Sequence, residues 1–157
     1  MGATAAVEHI VCRNRKAAFR FEILDKLECG MVLVGSEVKS LRERNASIEE
    51  AYGRIENDEL WLIGAHIAAY PFARTRNHDP TRPRRLLLHA REIRRLRPKV
   101  EQKGLTLVPL SVYFNARGLA KVAIALVRGK TAGDKRETIK KREHQRDMAR
   151  AMRRRVR

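Results

Sequence analysis

Short apolar runs separated by turn residues fill the chain up to about residue 128. Several runs alternate apolar with charged positions, as Phe19 to Ile23 do, and this alternation is typical of a strand with one buried face. Strands are predicted at residues 19–24, 31–34, 60–63, 86–88, 105–110 and 122–127.

Two tight turns join pairs of these strands. Asn57 and Asp58 tolerate positive φ and lie between residues 52–55 and 59–63, which predicts a hairpin. The sequence Asn-Ala-Arg-Gly at residues 115–118 predicts a second hairpin between the last two long strands.

Helices are few and short in this part of the chain. Residues 37–44 place Val38 and Leu41 on one helical face, and residues 90–96 form a second helix that Pro98 is expected to end. Short antiparallel strands with interspersed short helices favour a small closed barrel, because closure removes exposed sheet edges.

The composition changes after Arg128. The chain is 43% apolar overall, enough for a packed core, but residues 129–157 contain few sizeable apolar side chains among many Lys and Arg. Such a segment cannot bury a core of its own. We therefore expect one domain followed by a basic tail.

The charge balance narrows the partner classes. With 35 Lys and Arg against 18 Asp and Glu, the net charge is +17, which attracts polyanions and makes a neutral small-molecule enzyme improbable. The sequence has neither a stretch of about 18 apolar residues nor a secretory signal pattern, so a cytoplasmic protein without a membrane segment is expected. Cys12 and Cys29 lie outside any metal-ligand spacing, so no metal is expected.

Catalytic motifs are absent from the sequence. The nucleophile-elbow, zinc-protease, phosphate-loop and dinucleotide patterns do not occur, and His78 with Asp79 is the one histidine beside a carboxylate. A hydrogen bond within a loop explains that pair better than an acid–base dyad. No enzymatic activity and no cofactor are expected.

A cluster rich in arginine lies between residues 74 and 97. Guanidinium groups make bidentate phosphate contacts and stack on bases, so the strong excess of one sign favours RNA or DNA binding over a merely solvated face. The cluster consists of Arg74, Arg76, Arg82, Arg84, Arg85, Arg91, Arg94, Arg95 and Arg97.

Four ordered blocks resemble the SsrA-binding protein (small protein B, SmpB) family. The blocks are GSEVKSLR at residues 35–42, NHDPTRPRRLLLHAREI at 77–93, KGLTLVPLSVYF at 103–114 and GKTAGDKRETIKKRE at 129–143. They cover nearly the whole chain after Asn14.

The resemblance implies a fold and a role. The fold would be mainly β with short helices: a flexible segment at residues 1–13, a closed antiparallel oligonucleotide-binding barrel at 14–128, and a basic tail at 129–157 that is disordered when free and helical on the ribosome. The protein would bind the tRNA-like domain of transfer-messenger RNA (tmRNA) and deliver it, with elongation factor Tu and GTP, to stalled ribosomes for trans-translation. A monomer is expected.

The resemblance also assigns RNA-binding residues. Glu28 would accept hydrogen bonds from a base amine or a ribose hydroxyl, because a carboxylate repels phosphate; a surface salt bridge is the simpler explanation. Leu87 and His89 match positions that touch the RNA, although alternation alone leaves Leu87 equally suited to the core. Lys121 would pair with phosphate.

In the tail, the resemblance assigns ribosome binding to Gly129, Lys130, Asp134, Lys135 and Arg136. The tail would occupy the decoding centre and the empty messenger channel.

Three positions depart from the family pattern. Phe19 stands where His or Tyr is common, Cys29 replaces a small Ala, and Gly133 replaces the aromatic or His residue before Asp-Lys-Arg. Gly133 has no ring, so the resemblance does not extend to stacking on ribosomal RNA at this position.

Two alternative functions fit the composition. A ribosomal protein or assembly factor with a similar barrel would be equally basic, and only the ordered blocks argue against it. An RNA-processing enzyme would need a carboxylate–metal cluster or a pair of histidines, and neither is visible in the sequence.

Overall fold

The structure, a computed structural model, describes residues 9–102, 104–130 and 132–155. Over these residues the protein is mainly β with short helices, as predicted, and it ends in one long helix. The strands are β1 (His9–Arg13), β2 (Phe21–Met31), β3 (Ala46–Ser47), β4 (Tyr52–Glu56), β5 (Glu59–Ile63), β6 (His66–Ile67), β7 (Arg84–Leu87), β8 (Leu105–Phe114) and β9 (Ala120–Gly129). The helices are α1 (Ala17–Arg20), α2 (Gly35–Arg42), α3 (Ala90–Glu101) and α4 (Ala132–Arg155).

The main sheet has the strand order β1-β8-β4-β5-β7-β2-β9, and β9 also pairs with β8. The pairings can therefore be followed from β8 through β4, β5, β7, β2 and β9 back to β8. Strand β1 pairs with β8 as well. The connection between β4 and β8 is a single register pair, Gly53 with Leu107. The closed oligonucleotide-binding barrel stays a prediction.

Gly53 allows this close approach of two strands. A Cβ atom at residue 53 would lie 2.8 Å from Cβ of Leu107, inside the contact distance of two carbons. A side chain there would force the two strands apart.

The inner face of the sheet holds one main core. Alternation along the strands supplies buried residues such as Leu60, Leu62, Leu86 and Ile124, each at most 2% exposed. The helices α2 and α3 cover this core, since each of them buries a leucine in it, Leu41 and Leu96.

Both predicted hairpins are confirmed. Asn57 and Asp58 have φ of 51° and 58°, in the left-handed region, and join β4 to β5. Residues 115–118 join β8 to β9, and the Asn115 carboxamide accepts hydrogen bonds from the N–H groups of Arg117 and Leu119.

Several predicted boundaries were wrong, and the first helix spans Gly35–Arg42 rather than 37–44. No separate strand covers residues 31–34, because β2 runs without a break from Phe21 to Met31 and α2 begins at Gly35. Residues 19–20 belong to α1 rather than to the next strand. The second helix continues through Pro98 to Glu101, since Leu96 and Val100 pack on the core and compensate for the lost backbone hydrogen bond.

The predicted segment 1–13 also differs from the structure. Residues 1–8 lie outside the described residues, whereas residues 9–13 form β1 and pair with β8. The domain therefore begins before Asn14.

Helix α4 contains most of the predicted tail, in the helical state that was expected on the ribosome. That the tail is disordered in the free protein stays a prediction. In the described part of the chain, no helix combines the length and the apolar composition that crossing a membrane requires.

Candidate nucleic-acid interface

The four predicted RNA-binding residues line one open cavity on the outer face of the sheet. Its volume is about 390 Å³. Strand pairing brings the residues together: Gly30 on β2 is the register partner of Leu87 on β7 and of Lys121 on β9. Glu28 lies two positions earlier on β2, and His89 follows β7 at the start of α3. Residues far apart in the sequence thus share one surface.

Glu28 is oriented by a tyrosine. The Tyr113 hydroxyl on β8 donates a hydrogen bond to the Glu28 carboxylate. Among the described residues, Glu28 forms no ion pair, so the salt-bridge explanation was wrong. A carboxylate held by a phenol keeps further lone pairs for an amine or hydroxyl donor.

Leu87 faces solvent rather than the core. Strand β7 alternates buried and exposed positions, so Leu86 is 2% exposed whereas Leu87 is 50% exposed. The sequence left both possibilities open for Leu87, and the core possibility was wrong.

His89 is the N-cap residue of α3. Its backbone carbonyl accepts hydrogen bonds from the N–H groups of Glu92 and Ile93, at 2.9 and 3.2 Å. The imidazole makes no capping hydrogen bond and is exposed at the cavity. Helix capping therefore leaves this ring available to a ligand.

Sequence reasoning missed three residues of this cavity, Leu88 and, with more bearing on its chemistry, Gly30 and Glu92. Gly30 forms part of the floor, where a Cβ atom would lie 3.4 Å from Cβ of Leu87. Glu92 adds a second carboxylate from the first turn of α3. The sequence gives no separate indication of Gly30 or Glu92. Only their positions near Glu28 and His89 in the chain point to them.

The charges around the cavity are mixed. Two carboxylates, Glu28 and Glu92, face one ammonium group, Lys121. Beneath them, burial raises the pKa of the Cys29 thiol to about 12, with smaller contributions from both carboxylates, so this thiol stays protonated and unreactive. Such a site suits base edges and ribose hydroxyls, with one phosphate contact, rather than a row of phosphates.

The arginine cluster is only partly a surface. Arg84 and Glu37 are both 0% exposed and form an ion pair, with Nε of Arg84 2.6 Å from Oε2 of Glu37. Arg82 donates to the same carboxylate. For Arg82 and Arg84 the phosphate-binding interpretation was wrong, because their donors are used inside the protein.

The rest of the cluster lies at the surface. Arg85, Arg95 and Arg97 form exposed ion pairs with acidic residues. Arg74, Arg76, Arg91 and Arg94 are exposed and form no ion pair with the described residues.

His78 is a structural histidine. It is 8% exposed, and Nε2 lies 2.8 Å from the carbonyl of Ile67 while Nδ1 lies 2.9 Å from the Ser36 hydroxyl. Because a carbonyl only accepts, Nε2 carries the proton. The ring therefore joins α2 to β6. Across the described residues, no group of His, Cys, Asp and Glu has an arrangement that could hold a metal ion.

The predicted tail residues lie at the other end of β9. Lys130 Nζ lies 2.7 Å from the carbonyl of Ala18 and 2.7 Å from the Thr138 hydroxyl, and the Lys135 ammonium lies 6.0 Å from the centre of the Phe19 ring. Gly129 and Arg136 are exposed, and the side chain of Asp134 lies outside the described residues. The structure thus separates these positions from the cavity, since Lys121 and Gly129 are about 27 Å apart along the strand.

Comparisons with known proteins agree with the motif blocks. The family model described as SmpB protein matches residues 11–154. The chain is 58% identical over 144 residues to the SsrA-binding protein of Rhodopirellula baltica, covering 92% of this chain and 82% of that protein. It is 51% identical over 151 residues to the SsrA-binding protein of Agrobacterium fabrum, covering 96% and 94%.

One solved structure is similar to this chain at 49% identity with a TM-score of 0.67, covering 82% of this chain and 93% of that one. It is described as "tmRNA-SmpB: a journey to the center of the bacterial ribosome".

Proposed function

Because the chain belongs to the SmpB family of SsrA-binding proteins, an RNA-binding family rather than a family of enzymes, we propose that it binds tmRNA and acts with it on the ribosome in trans-translation. The observation that carries the proposal is the convergence of Glu28, Leu87, His89 and Lys121 on one exposed cavity. The relatives' names and the solved tmRNA–SmpB structure support the same partners.

In the proposed complex, the tRNA-like domain of tmRNA lies on the outer face of β7, β2 and β9. Glu28, held by Tyr113, accepts from a base amine or a ribose 2′-hydroxyl. Leu87 and the imidazole of His89 cover an unstacked base, and Lys121 pairs with a nearby phosphate. The mixed charge favours RNA that presents bases and hydroxyls rather than bare backbone.

The tail completes the proposed role. Helix α4, together with Gly129 and Lys130, would lie in the decoding centre and the empty messenger channel, in place of the missing codon–anticodon helix. We propose that tmRNA arrives with elongation factor Tu and GTP, that the protein acts as a monomer, and that it works in the cytoplasm, where ribosomes are.

Point variants of the cavity test the RNA-binding proposal. Affinity for a transcript of the tRNA-like domain is measured by filter binding for Glu28→Gln, Leu87→Ala and Lys121→Ala. Glu28→Gln is expected to weaken binding by about 1–3 kcal/mol, as for loss of a base contact. Lys121→Ala should also reduce the slope of log affinity against log salt by about 1, whereas Leu87→Ala should leave the slope unchanged.

The chain offers matched controls for these variants. Leu24→Ala on β2 removes an exposed leucine outside the cavity, 41% exposed against 50% for Leu87, and Glu56→Gln removes a surface carboxylate of β4. Both should bind like the natural protein. Equal losses for cavity and control variants would contradict the proposed site.

A further inference from the structure

Trp61, the single tryptophan of the sequence, lies on the outer face of β5. Its strand alternates, so Leu60 and Leu62 are 0% exposed whereas Trp61 between them is partly exposed. Within the described part of the chain, the indole packs against neither core cluster, contacts no other ring and makes no hydrogen bond. Packing in the core therefore does not account for a large aromatic side chain at this position.

Two arginines flank Trp61 across the sheet. Strand register places Arg54 of β4 on one side of it and Arg85 of β7 on the other. Nη2 of Arg54 lies 2.9 Å from a carboxylate oxygen of Glu56, and Nη2 of Arg85 lies 3.2 Å from one of Glu59. All four charged side chains are at least 36% exposed. Because exposed ion pairs contribute little to stability, a phosphate can replace either carboxylate at little cost.

Trp61 lies on the same sheet face as the cavity around Glu28. Arg85 and Leu87 are both exposed on one side of β7, and Leu87 lines that cavity. Because Trp61 is the register partner of Arg85, Trp61 and Leu87 are diagonal neighbours on adjacent strands, about 7–8 Å apart. The indole is therefore next to the proposed RNA site and continues its surface toward β4.

We infer that Trp61 stacks on an unpaired base of the bound RNA and that Arg54 and Arg85 pair with the phosphates beside that base. The inference deepens the proposed function and rests on it for the identity of the RNA. Aromatic side chains on a sheet face stack on splayed bases in other RNA-binding folds, and every base offers a π-face. Two guanidinium groups beside the ring favour a phosphate backbone over a protein as the occupant.

This stack has a different role from the contacts in the cavity. Hydrogen bonds from a base to Glu28 depend on the donors of that base, whereas stacking on an indole does not. Trp61 therefore adds affinity for a neighbouring nucleotide of any type, and Glu28 supplies the selectivity.

The emission of Trp61 reports directly on this contact, because the sequence contains no second tryptophan. A transcript of the tRNA-like domain of a tmRNA is titrated into the full-length protein at constant ionic strength. Stacking on a base quenches an indole, so the emission should fall and level off at the RNA concentration where filter binding saturates. N-acetyltryptophanamide, titrated in the same way, corrects for absorption by the RNA. Constant emission in a saturated complex would overturn the inference.

Variants of Trp61 distinguish stacking from proximity. Trp61→Leu should weaken binding about tenfold, or about 1.4 kcal/mol, which is the size of one base–aromatic stack. It should leave the slope of log affinity against log salt unchanged, because the indole carries no charge. Trp61→Tyr keeps an aromatic ring and should restore most of the affinity. The matched control Tyr52→Leu removes a ring that is 42% exposed on the far side of Trp61 from Leu87, and it should bind like the natural protein.

The flanking arginines are tested by the salt dependence of the same binding. Arg54→Gln/Arg85→Gln should lower the slope by about 1.4, as for the loss of two phosphate contacts to a single strand. Arg95→Gln/Arg97→Gln removes the same charge from arginines that also form exposed ion pairs, and it should leave the slope unchanged. Equal slopes for the two double variants would refute the phosphate contacts.

The cavity variants Leu87→Ala and Lys121→Ala are measured in parallel, so the two proposals can fail separately. If they lose affinity while Trp61→Leu binds like Tyr52→Leu, or Trp61→Tyr loses as much as Trp61→Leu, the stack on Trp61 alone is refuted. If only Trp61→Leu loses affinity, the proposed cavity is refuted and the stack stands. Thermal unfolding checks that Trp61→Leu is folded, and if it is not, the emission titration and the arginine variants decide. A transcript that does not bind the natural protein would overturn both proposals.

Discussion

At the scale of single residues, Glu37 shows how burial changes the role of a charge. Its carboxylate is 0% exposed and accepts hydrogen bonds from Arg82, Arg84 and the backbone N–H of Val34. Arg84 in turn donates to the carbonyl of Ala65 at 2.6 Å and to that of Pro80 at 2.9 Å. This network joins α2 and the loop before β7 to the strand that carries Leu87.

Removing the Glu37 carboxylate should destabilise the fold. In Glu37→Gln, Arg84 stays charged and buried without a counter-ion, and breaking such a pair costs about 3–5 kcal/mol. Urea unfolding at neutral pH is expected to show a loss in this range. The control Glu56→Gln, in an exposed pair with Arg54, should change stability by less than about 1 kcal/mol. If Glu37→Gln lowered the free energy of unfolding no more than the control Glu56→Gln does, the role of this network would be contradicted.

The lowered pKa of the Glu37 carboxyl predicts that the fold loses stability in acid. Burial alone would raise the pKa of Glu37, but the hydrogen bonds from Arg82, Val34 and Arg84 outweigh it and lower the pKa below 4.5. A lowered pKa means that the stabilisation is complete above pH 4.5 and is lost as the pH falls through the folded value. Unfolding between pH 5 and 3 should therefore be less steeply pH-dependent in Glu37→Gln than in the natural protein.

At the scale of elements, packing decides which helices form against their local preference. Helix α3 continues past Pro98 because Leu96 and Val100 pack on the core. Helix α4 has no such core: Ile139, Met148 and Met152 are all more than 40% exposed. At its near end it is attached to the domain through Lys135, beside Phe19, and through Lys130, which binds both Ala18 and Thr138. The helical state of the tail therefore depends on its charges more than on burial.

A peptide of residues 130–157 should be largely unfolded alone and should gain helix when RNA is added. Repulsion between its many Lys and Arg opposes the helix, and phosphates remove that repulsion. Circular dichroism with and without RNA measures the change. Addition of polyglutamate at the same charge distinguishes screening by any polyanion from an effect of RNA. An unchanged spectrum in RNA would contradict this account of the tail.

At the scale of the whole molecule, β9 separates the cavity around Glu28 from the tail, the two regions to which the proposed function gives different tasks. Lys121, in the cavity, and Gly129, where the tail begins, lie about 27 Å apart on one strand. We therefore expect that the two proposed tasks, selection of the RNA by the domain and contact with the ribosome by the tail, can be removed independently.

Truncation after Arg128 should keep affinity for the tRNA-like domain within about twofold while abolishing peptide tagging on stalled ribosomes in a reconstituted translation system. The physical reason is that none of the tail residues described by the structure lines the cavity around Glu28.

Gly129 pairs with Phe21, so a thermal unfolding curve must confirm that the truncated domain is folded. The full-length variant Lys135→Ala/Arg136→Ala provides a second route to the same result. A large loss of RNA affinity in a folded truncation would refute the separation of tasks.

The sequence by itself determined most of the longer strands, both hairpins and the partner class of this protein, but not β1, β3 or β6. Alternation, the turn residues at 57–58 and 115–118, the net charge of +17 and the ordered motif blocks depend on local pattern, which needs no knowledge of contacts. Only the blocks distinguished the family from other basic RNA-binding proteins, and the comparisons confirmed it.

Only the tertiary structure decided which charges face solvent and which residues meet. Arg84 and Arg85 are neighbours of the same type in the sequence, yet one is buried with Glu37 and the other is exposed on the opposite face of β7. Pairings between distant residues bring β2, β7 and β9 together in the cavity, and α3 adds His89 and Glu92 at its N-terminal end. Long-range contacts of this kind depend on how the whole chain packs, so no local pattern could reveal them.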